Sequence, residues 1–182
     1  LLSTSGTTQS PKFVRLSNKN LLSNTKSIIK YLKINSNHTT ITTMPMGYSY
    51  GLSIINAHLV SGSKIVLNNK TIFDKGFWDK ISNYKVTSFG GVPQFYEQLK
   101  KLKFENFSLP NLKYITQAGG KLDEYFLKYF GGVCKKKKVK FVIMYGQTEA
   151  SPRMSYLKWE KFSIKSRSIG RPLAGSKFRI LN

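Results

Sequence analysis

The sequence predicts an α/β fold in which a largely parallel sheet is flanked by helices. Short runs of β-branched and aromatic residues alternate with amphipathic stretches about every 20 to 30 residues along the chain. The 182 residues are 40% hydrophobic and 13% aromatic, which is enough for one globular domain with a sizeable core. Neither an internal repeat nor a low-complexity linker interrupts this alternation, so a single α/β domain is expected.

Strands are predicted wherever a short apolar or β-branched run lies between turn residues. The run at 40–44 is β-branched and ends at Pro45, and the run at 139–144 is strongly apolar and continues into Tyr145-Gly146. The predicted strands cover residues 13–16, 40–44, 65–67, 86–89, 111–116 and 139–144.

Helices are predicted between these strands. Asn18 is placed to cap the first helix, Gly62 to close the nearly all-apolar second helix, and Pro93 to occupy the first turn of the fourth. The predicted helices cover residues 18–31, 52–60, 74–84, 93–102 and 123–130.

The formal net charge of +22 raises the possibility of a nucleic-acid partner. The basic residues are spread along the whole chain, and only Lys135–Lys138 forms a block, which is expected to be a solvated turn. Abundant Asn and Ile beside Lys fit a general lysine-rich bias instead. No nucleic-acid partner is therefore expected.

Several other classes of site are disfavoured. Cys134 is the only cysteine, so a disulfide framework and a cysteine-based zinc site are excluded; it is either an incidental thiol or one activated by the adjacent lysines. No apolar run is long enough to span a bilayer and no signal segment is seen, so a cytoplasmic location is expected. Strand-like sequence at both ends suggests that the chain is part of a longer protein.

The opening stretch LLSTSGTTQSPK combines six hydroxyl side chains, a glycine and a lysine. A loop of amides and hydroxyls beside Lys12 suits a phosphate chain, and Gly6 allows a close backbone approach. A polar hairpin turn would have the same composition. A Walker loop is excluded, because no second glycine precedes the lysine and no Ser or Thr follows it.

Two further stretches follow predicted strands directly, and ligands gather beyond the carboxyl ends of such strands. The first is Gln117-Ala118-Gly119-Gly120-Lys121-Leu122 and the second is Tyr145-Gly146-Gln147-Thr148-Glu149. With the opening loop, they make three candidate site stretches, a recurrence that turns alone do not readily explain.

The order and spacing of these segments resemble the adenylate-forming enzyme superfamily. Residues 4–12 are similar to its Ser/Thr/Gly-rich signature ending in Pro-Lys, and residues 145–149 match Y-G-x-T-E. Residues 118–120 are similar to the small-residue segment that backs the adenine, and residues 168–175 resemble a later G-x-P-x-x-G stretch. The resemblance covers essentially the whole chain and implies a fragment of the large N-terminal domain, with acyl-CoA synthetases as the most similar branch.

The resemblance also implies site residues. The phosphates of ATP would be held by Thr4, Ser5, Gly6, Thr7, Thr8 and Lys12. The adenosine would be bound by Ala118, Gly119, Gly120, Tyr145 and Gly146, with Tyr145 stacked on the adenine. Thr148 would bond a phosphate oxygen and Glu149 would help to bind Mg²⁺, which prefers carboxylate oxygen. Glu149 could instead be an ordinary acid at a helix start. Lys12, Thr148 and Glu149 form the implied catalytic set.

The acid pocket is expected on the segment that follows Pro45. Tyr48, Ser49, Tyr50 and Leu52 would form a mostly apolar wall that suits an acyl or aryl tail. Amino-acid-activating members commonly carry Phe-Asp where this chain has Tyr48-Ser49, so an α-amino acid is not expected. Many acyl-CoA synthetases carry P-x-x-His where Tyr48 stands, and Gln9 replaces a usual glycine or serine.

The implied function is ATP-dependent activation of a small-molecule carboxylic acid as an acyl adenylate, followed by transfer to a thiol, with coenzyme A as co-substrate. A ligase that loads an acyl carrier protein and a basic binding module without chemistry are the alternatives. Nothing after Gly175 resembles the family's T-G-D segment, and no mobile C-terminal domain is recognised. Residues 1–182 are therefore expected to form a partial adenylation domain that is inactive alone.

Overall fold

A seven-stranded sheet forms the centre of the computed structural model, which describes residues 1–4, 12–157 and 168–180. Five strands are parallel in the order β4-β3-β5-β6-β7, and β8 and β9 add an antiparallel edge beyond β7. A separate antiparallel pair joins β1 to β2. The strands are β1 (Leu2–Ser3), β2 (Phe13–Val14), β3 (Thr39–Ile41), β4 (Lys64–Val66), β5 (Ser88–Gly91), β6 (Tyr114–Gln117), β7 (Lys140–Gly146), β8 (Arg153–Tyr156) and β9 (Arg171–Pro172).

Helices connect each parallel strand to the next, because parallel strands need crossover connections. Helix α1 (Asn18–Leu32) precedes β3, and the connecting helices are α2 (Ser49–Val60), α3 (Lys75–Asn83), α4 (Pro93–Lys101) and α5 (Glu124–Lys136). Short 3-10 turns lie at Phe104–Asn106 and Thr148–Ala150. The predicted α/β class with a largely parallel sheet is confirmed.

The antiparallel edge was not predicted. Its strands are only four and two residues long, and they contain Arg153 and Pro172, so neither has the apolar alternation by which strands are recognised. Proline is tolerated in β9 because it pairs with β8 alone at the edge of the sheet.

Three helix ends differ clearly from the sequence prediction. Helix α2 begins at Ser49 and not at residue 52. Ser17, not Asn18, caps α1: its Oγ accepts from the Asn20 amide, and the Asn20 side chain accepts from the Ser17 amide. Helix α5 runs on to Lys136 instead of ending at Phe130, because burial of Val133 and Cys134 outweighs the low helix propensity of two glycines.

Cys134 is therefore not an activated thiol. Its side chain is buried on the inner face of α5, and burial raises the pKa of the thiol to about 12. The adjacent Lys135 and Lys136 lie in the last turn of the helix, where positive charge is favourable to the macrodipole.

The two faces of the sheet differ in chemistry. On the side of α3, α4 and α5, rings from the strands and from these helices form an aromatic core. Its fully buried rings are Phe89 and Phe141 of the strands and Phe77, Tyr96, Phe104 and Phe130 of the helices and the first 3-10 turn. Towards α1 and α2, the same strands present polar side chains that are also buried: Thr40, Ser88, Tyr114 and Thr116. The aromatic face forms the main core, and the polar face is buried against α1 and α2.

No helix within the described ranges is both long enough and apolar enough to cross a membrane.

We expect Phe130→Ala in the full-length protein to lower the free energy of unfolding by about 3–5 kcal/mol, because a fully buried ring leaves a cavity. The matched control is Tyr125→Ala on the same helix, whose side chain is 60% exposed and should change that free energy by less than about 0.5 kcal/mol. Urea unfolding followed by tryptophan fluorescence measures both. Similar losses for the two variants would contradict the assignment of this core.

Candidate functional site

A cleft of about 410 Å³ opens beyond the carboxyl ends of β6 and β7. It brings together one residue of the opening loop, the turn after β6 and the segment after β7, because parallel strands deliver their carboxyl ends to the same edge. The lining residues are Thr4, Tyr48, Ser49, Tyr50, Ala118, Gly119, Gly146, Gln147, Thr148, Glu149, Pro152 and Arg153.

The opening loop is anchored by the β1–β2 pair. Leu2 is opposite Val14 and Ser3 is opposite Phe13, and the Thr4 amide donates to the Lys12 carbonyl at 2.9 Å. Thr4 lines the cleft, and Lys12 is exposed. The remaining predicted phosphate ligands of this loop, Ser5, Gly6, Thr7 and Thr8, lie outside the described residues.

The turn after β6 requires glycine. Gly119 has a φ of +77°, and a Cβ there would stand 2.6 Å from the hydroxyl of Tyr48. The Gln117 side chain donates to the Gly120 carbonyl at 2.8 Å and closes the turn. Ala118 and Gly119 thus present backbone to the cleft, whereas Gly120 is exposed outside its lining.

The segment after β7 begins with a bulge at Tyr145/Gly146, where the pairing with β8 changes register. A Cβ on Gly146 would stand 1.8 Å from the Pro152 carbonyl oxygen, so only glycine permits this approach. Tyr145 is half-buried, and its hydroxyl accepts from the Gln147 side chain at 3.1 Å. Thr148 and Glu149 follow in the 3-10 turn, with the Glu149 carboxylate exposed.

A side-chain hydrogen bond joins the predicted acid pocket to this segment. The Ser49 hydroxyl lies 3.0 Å from the Thr148 hydroxyl, at the first residue of α2. Tyr50 is buried one position further, and its hydroxyl donates to the Thr116 carbonyl at 2.8 Å. Burial raises the pKa of Tyr50, so its hydroxyl stays neutral. Leu52 is half-buried on α2 and does not line the cleft.

A family model for AMP-binding enzymes matches residues 1–182. The chain belongs to the AMP-binding enzyme family. Acyl-CoA ligase sidI of Aspergillus fumigatus is 27% identical over 182 residues, covering 98% of this chain and 30% of the relative. The 2-succinylbenzoate–CoA ligase of Enterococcus faecalis is 27% identical over 183 residues, covering 100% of this chain and 36% of the relative. The chain thus spans about a third of the length of these curated relatives.

Solved structures share the same architecture. The o-succinylbenzoate coenzyme A synthetase of Bacillus subtilis in complex with AMP superposes with a TM-score of 0.79 at 25% identity, over 95% of this chain and 34% of that one. The N-terminal domain of FACL13 from Mycobacterium tuberculosis has the same fold, with a TM-score of 0.82 at 22% identity over 95% of this chain and 42% of that one. The predicted family and the predicted fold class are both confirmed.

Arg153 is a cleft residue that the sequence did not single out. It follows the Y-G-Q-T-E segment on β8 and is 4% exposed, with its guanidinium 4.2 Å from the centre of the Tyr50 ring. Its Nε and Nη2 donate to Ser53 Oγ at 3.3 and 3.0 Å. Because an arginine in a short polar stretch is usually exposed, only the three-dimensional pairing of β8 with β7 reveals its burial.

A second and larger cavity of about 900 Å³ lies at the amino ends of β6 and β7. It is lined in part by Arg171, Pro172, Leu173 and Ala174 of the later G-x-P-x-x-G stretch, but by none of the residues predicted to bind ATP or the acid. Its lining includes five basic side chains, Lys30, Lys33, Lys113, Lys140 and Arg171. Most of the described residues that the resemblance assigned to the site line the smaller cleft, which we therefore take as the candidate active site. Lys12, Leu52, Gly120 and Tyr145 are predicted site residues that do not line it.

We expect Gly146→Ala in the full-length protein to weaken ATP binding at least tenfold, since the new methyl group must separate β7 from β8 and displace Thr148 and Glu149. The matched control is Gly132→Ala within α5, where a Cβ has no heavy atom within 4 Å and should stabilise the helix by about 0.5–1 kcal/mol. Isothermal titration calorimetry with ATP and thermal unfolding test the pair. Unchanged ATP affinity of Gly146→Ala would refute the proposed constraint.

Proposed function

We propose that this chain forms the nucleotide- and acid-binding part of an acid–thiol ligase, which activates a carboxylic acid with ATP and transfers the acyl group to coenzyme A. The observation that supports this most is the single cleft in which Thr4, the Ala118–Gly119 turn and the Gly146–Glu149 segment meet beside the start of α2. Family membership supports the adenylation step. Coenzyme A is proposed as the acceptor because relatives named above are CoA ligases.

The nucleotide would lie along the edge of the sheet. We assign the phosphate chain to the anchored loop that carries Thr4 and Lys12, where hydroxyls, amides and one ammonium group can surround the oxygens. The adenine would lie between Tyr145 and the backbone of Gly119 and Gly120. This arrangement puts the α-phosphate next to Thr148, at the mouth of the acid pocket.

The proposed adenylation step needs no covalent intermediate with the enzyme. A carboxylate oxygen of the substrate attacks the α-phosphorus of ATP, a new P–O bond forms, and the bond to pyrophosphate breaks. Negative charge increases on the phosphate oxygens, so hydrogen-bond donors and cations already in place stabilise the transition state. Thr148 is well suited to this role, since its hydroxyl is oriented by Ser49 before substrate arrives.

Glu149 fits the binding of Mg²⁺ together with ATP. Among the described residues, Glu149 is the acidic residue that lines the cleft, and its side chain is exposed. Mg²⁺ in phosphoryl-transfer sites is usually bound through one or two carboxylates, water and phosphate oxygens, so one protein ligand suffices. The bound cation would neutralise charge on the phosphate chain.

We expect Glu149→Gln in the full-length enzyme to reduce adenylation strongly, by about 2–4 kcal/mol of transition-state stabilisation, and to raise the Mg²⁺ concentration needed for half-maximal rate. The matched control is Glu97→Gln, an exposed acid on α4 outside the cleft, which should leave both quantities unchanged. Carboxylate-dependent pyrophosphate release across a Mg²⁺ titration provides the measurement. An unaltered rate and titration for Glu149→Gln would remove Glu149 from the metal site.

Lys12→Ala should have a milder effect than Glu149→Gln in the same assay. The Lys12 ammonium is one flexible donor among several hydroxyls and amides, so its loss should raise the KM for ATP more than it lowers kcat. A larger loss of kcat than that of Glu149→Gln would show that Lys12 has the principal catalytic role.

We expect no preference for α-amino acids. Ser49 stands where a carboxylate would be needed to pair with a substrate ammonium, and the nearest buried charge, Arg153, is positive. A buried ammonium without an anion costs several kcal/mol. Pyrophosphate release with matched pairs, such as phenylalanine and 3-phenylpropanoate, tests this expectation. A clear preference for the free amino acid over its deaminated analogue would contradict it.

A further inference from the structure

Arg153 is a buried cation without an acidic partner among residues 1–4, 12–157 and 168–180. The ion pair that these residues contain is Lys128–Glu124, at the outer surface of α5. A guanidinium has five N–H donors, and those of Arg153 meet the Ser53 hydroxyl, the sulfur of Met144 and the Tyr31 hydroxyl. All three acceptors are uncharged, and a thioether sulfur is a weak one. A charge buried this way is costly unless an anion joins it.

The surroundings hold the guanidinium in a defined place. Asn24 fixes the backbone of Arg153, donating from its side chain to the Arg153 carbonyl at 2.7 Å. The ring of Tyr50 covers one face of the guanidinium, and Tyr50 is itself held by Thr116. A pre-positioned planar fork of this kind suits bidentate recognition of a carboxylate.

The location of Arg153 relative to Thr148, where the substrate carboxylate would react, bears on which anionic group could pair with the guanidinium. Ser49 contacts Thr148 at the first residue of α2, and Ser53, which holds the guanidinium, lies four residues further along the same helix. Four residues of α-helix rise by about 6 Å. The guanidinium is therefore held about one helical turn along α2 from the Ser49–Thr148 contact, and Arg153 is itself among the residues that line the cleft.

We propose that Arg153 determines substrate specificity by binding a second acidic group on the tail of the substrate, so that the enzyme activates dicarboxylic acids in preference to monocarboxylic acids of the same length. This inference rests on the proposed function, because it assumes that the cleft holds the acid to be activated. The second carboxylate supplies the anion that the protein itself does not place beside Arg153.

The test compares acids that differ only in the terminal group. Butanedioate, pentanedioate, hexanedioate and benzene-1,4-dicarboxylate are each paired with the corresponding monocarboxylate, and kcat/KM is measured by pyrophosphate release with the full-length enzyme. At least one pair should favour the dicarboxylate tenfold or more. A monocarboxylate that equals or exceeds its partner in every pair would overturn the inference while leaving the proposed function intact. Absence of turnover with every acid would contradict the proposed function and the inference with it.

Variants of Arg153 then test whether this residue is responsible for the preference for dicarboxylates. Arg153→Met should lower the dicarboxylate-to-monocarboxylate ratio at least tenfold, and Arg153→Lys should retain part of it, because the charge remains and the fork is lost. Arg171→Met, which removes an exposed arginine of β9 outside the cleft, should keep the wild-type ratio. A purely structural role for Arg153 would reduce the rates with both acids equally and leave the ratio unchanged, which would overturn the inference. Because the wild-type comparison is decisive alone, the test does not depend on the stability of a variant.

Discussion

The site depends on the parallel register of β5, β6 and β7. Ser88, Tyr114 and Lys140 lie side by side at one end of these strands, and Gly91, Gln117 and Ile143 lie together at the other. Residues that are far apart in the sequence, such as Ala118 and Thr148, therefore line the same cleft because the strands that precede them end at the same edge of the sheet. The aromatic core beneath the sheet holds this register, since its rings come from the strands and from the helices that cross between them.

The face of the sheet that packs against α1 and α2 is lined by buried polar side chains. Buried hydroxyls of Thr40, Tyr50 and Thr116 occupy the space between the sheet and α2, each within a hydrogen bond. Close packing depends on Gly90, where a Cβ would come within 2.8 Å of both the Tyr50 hydroxyl and Ile54. Polar groups in such an interior are stabilised by hydrogen bonds to one another, which fixes the positions of these three hydroxyls, whereas the buried Ser88 hydroxyl of the same face has no hydrogen-bond partner among the described residues. A well-defined polar interior beside a cleft is a suitable setting for recognising a substrate.

Much of this could be predicted from the sequence, because parallel strands and crossover helices leave strong apolar patterns. The junctions after β6 and β7 were found for the same reason, since each motif follows an apolar run directly. Arg153 could not be found in this way, as its burial arises from an antiparallel strand of four residues that has no pattern of its own. The end of α5 was misjudged because glycine propensity is a local quantity, whereas the burial of Val133 and Cys134 is a tertiary one. The roles assigned to individual cleft residues remain predictions.

The hydrogen bond between Ser49 and Thr148 has a consequence for how acid preference can change during evolution. Under the proposed function, a substitution at Ser49 that adapts the pocket to a new acid would also alter the support of Thr148 and so affect acid binding and ATP binding at once. Arg153 contacts α2 through Ser53 and Tyr50 and has no hydrogen bond to Thr148 among the side-chain contacts of the described chain. If Arg153 binds the tail of the acid as proposed, exchange at position 153 would separate a change of substrate from a loss of adenylation. A lineage that diversifies its acids by small steps would be expected to vary this position before position 49.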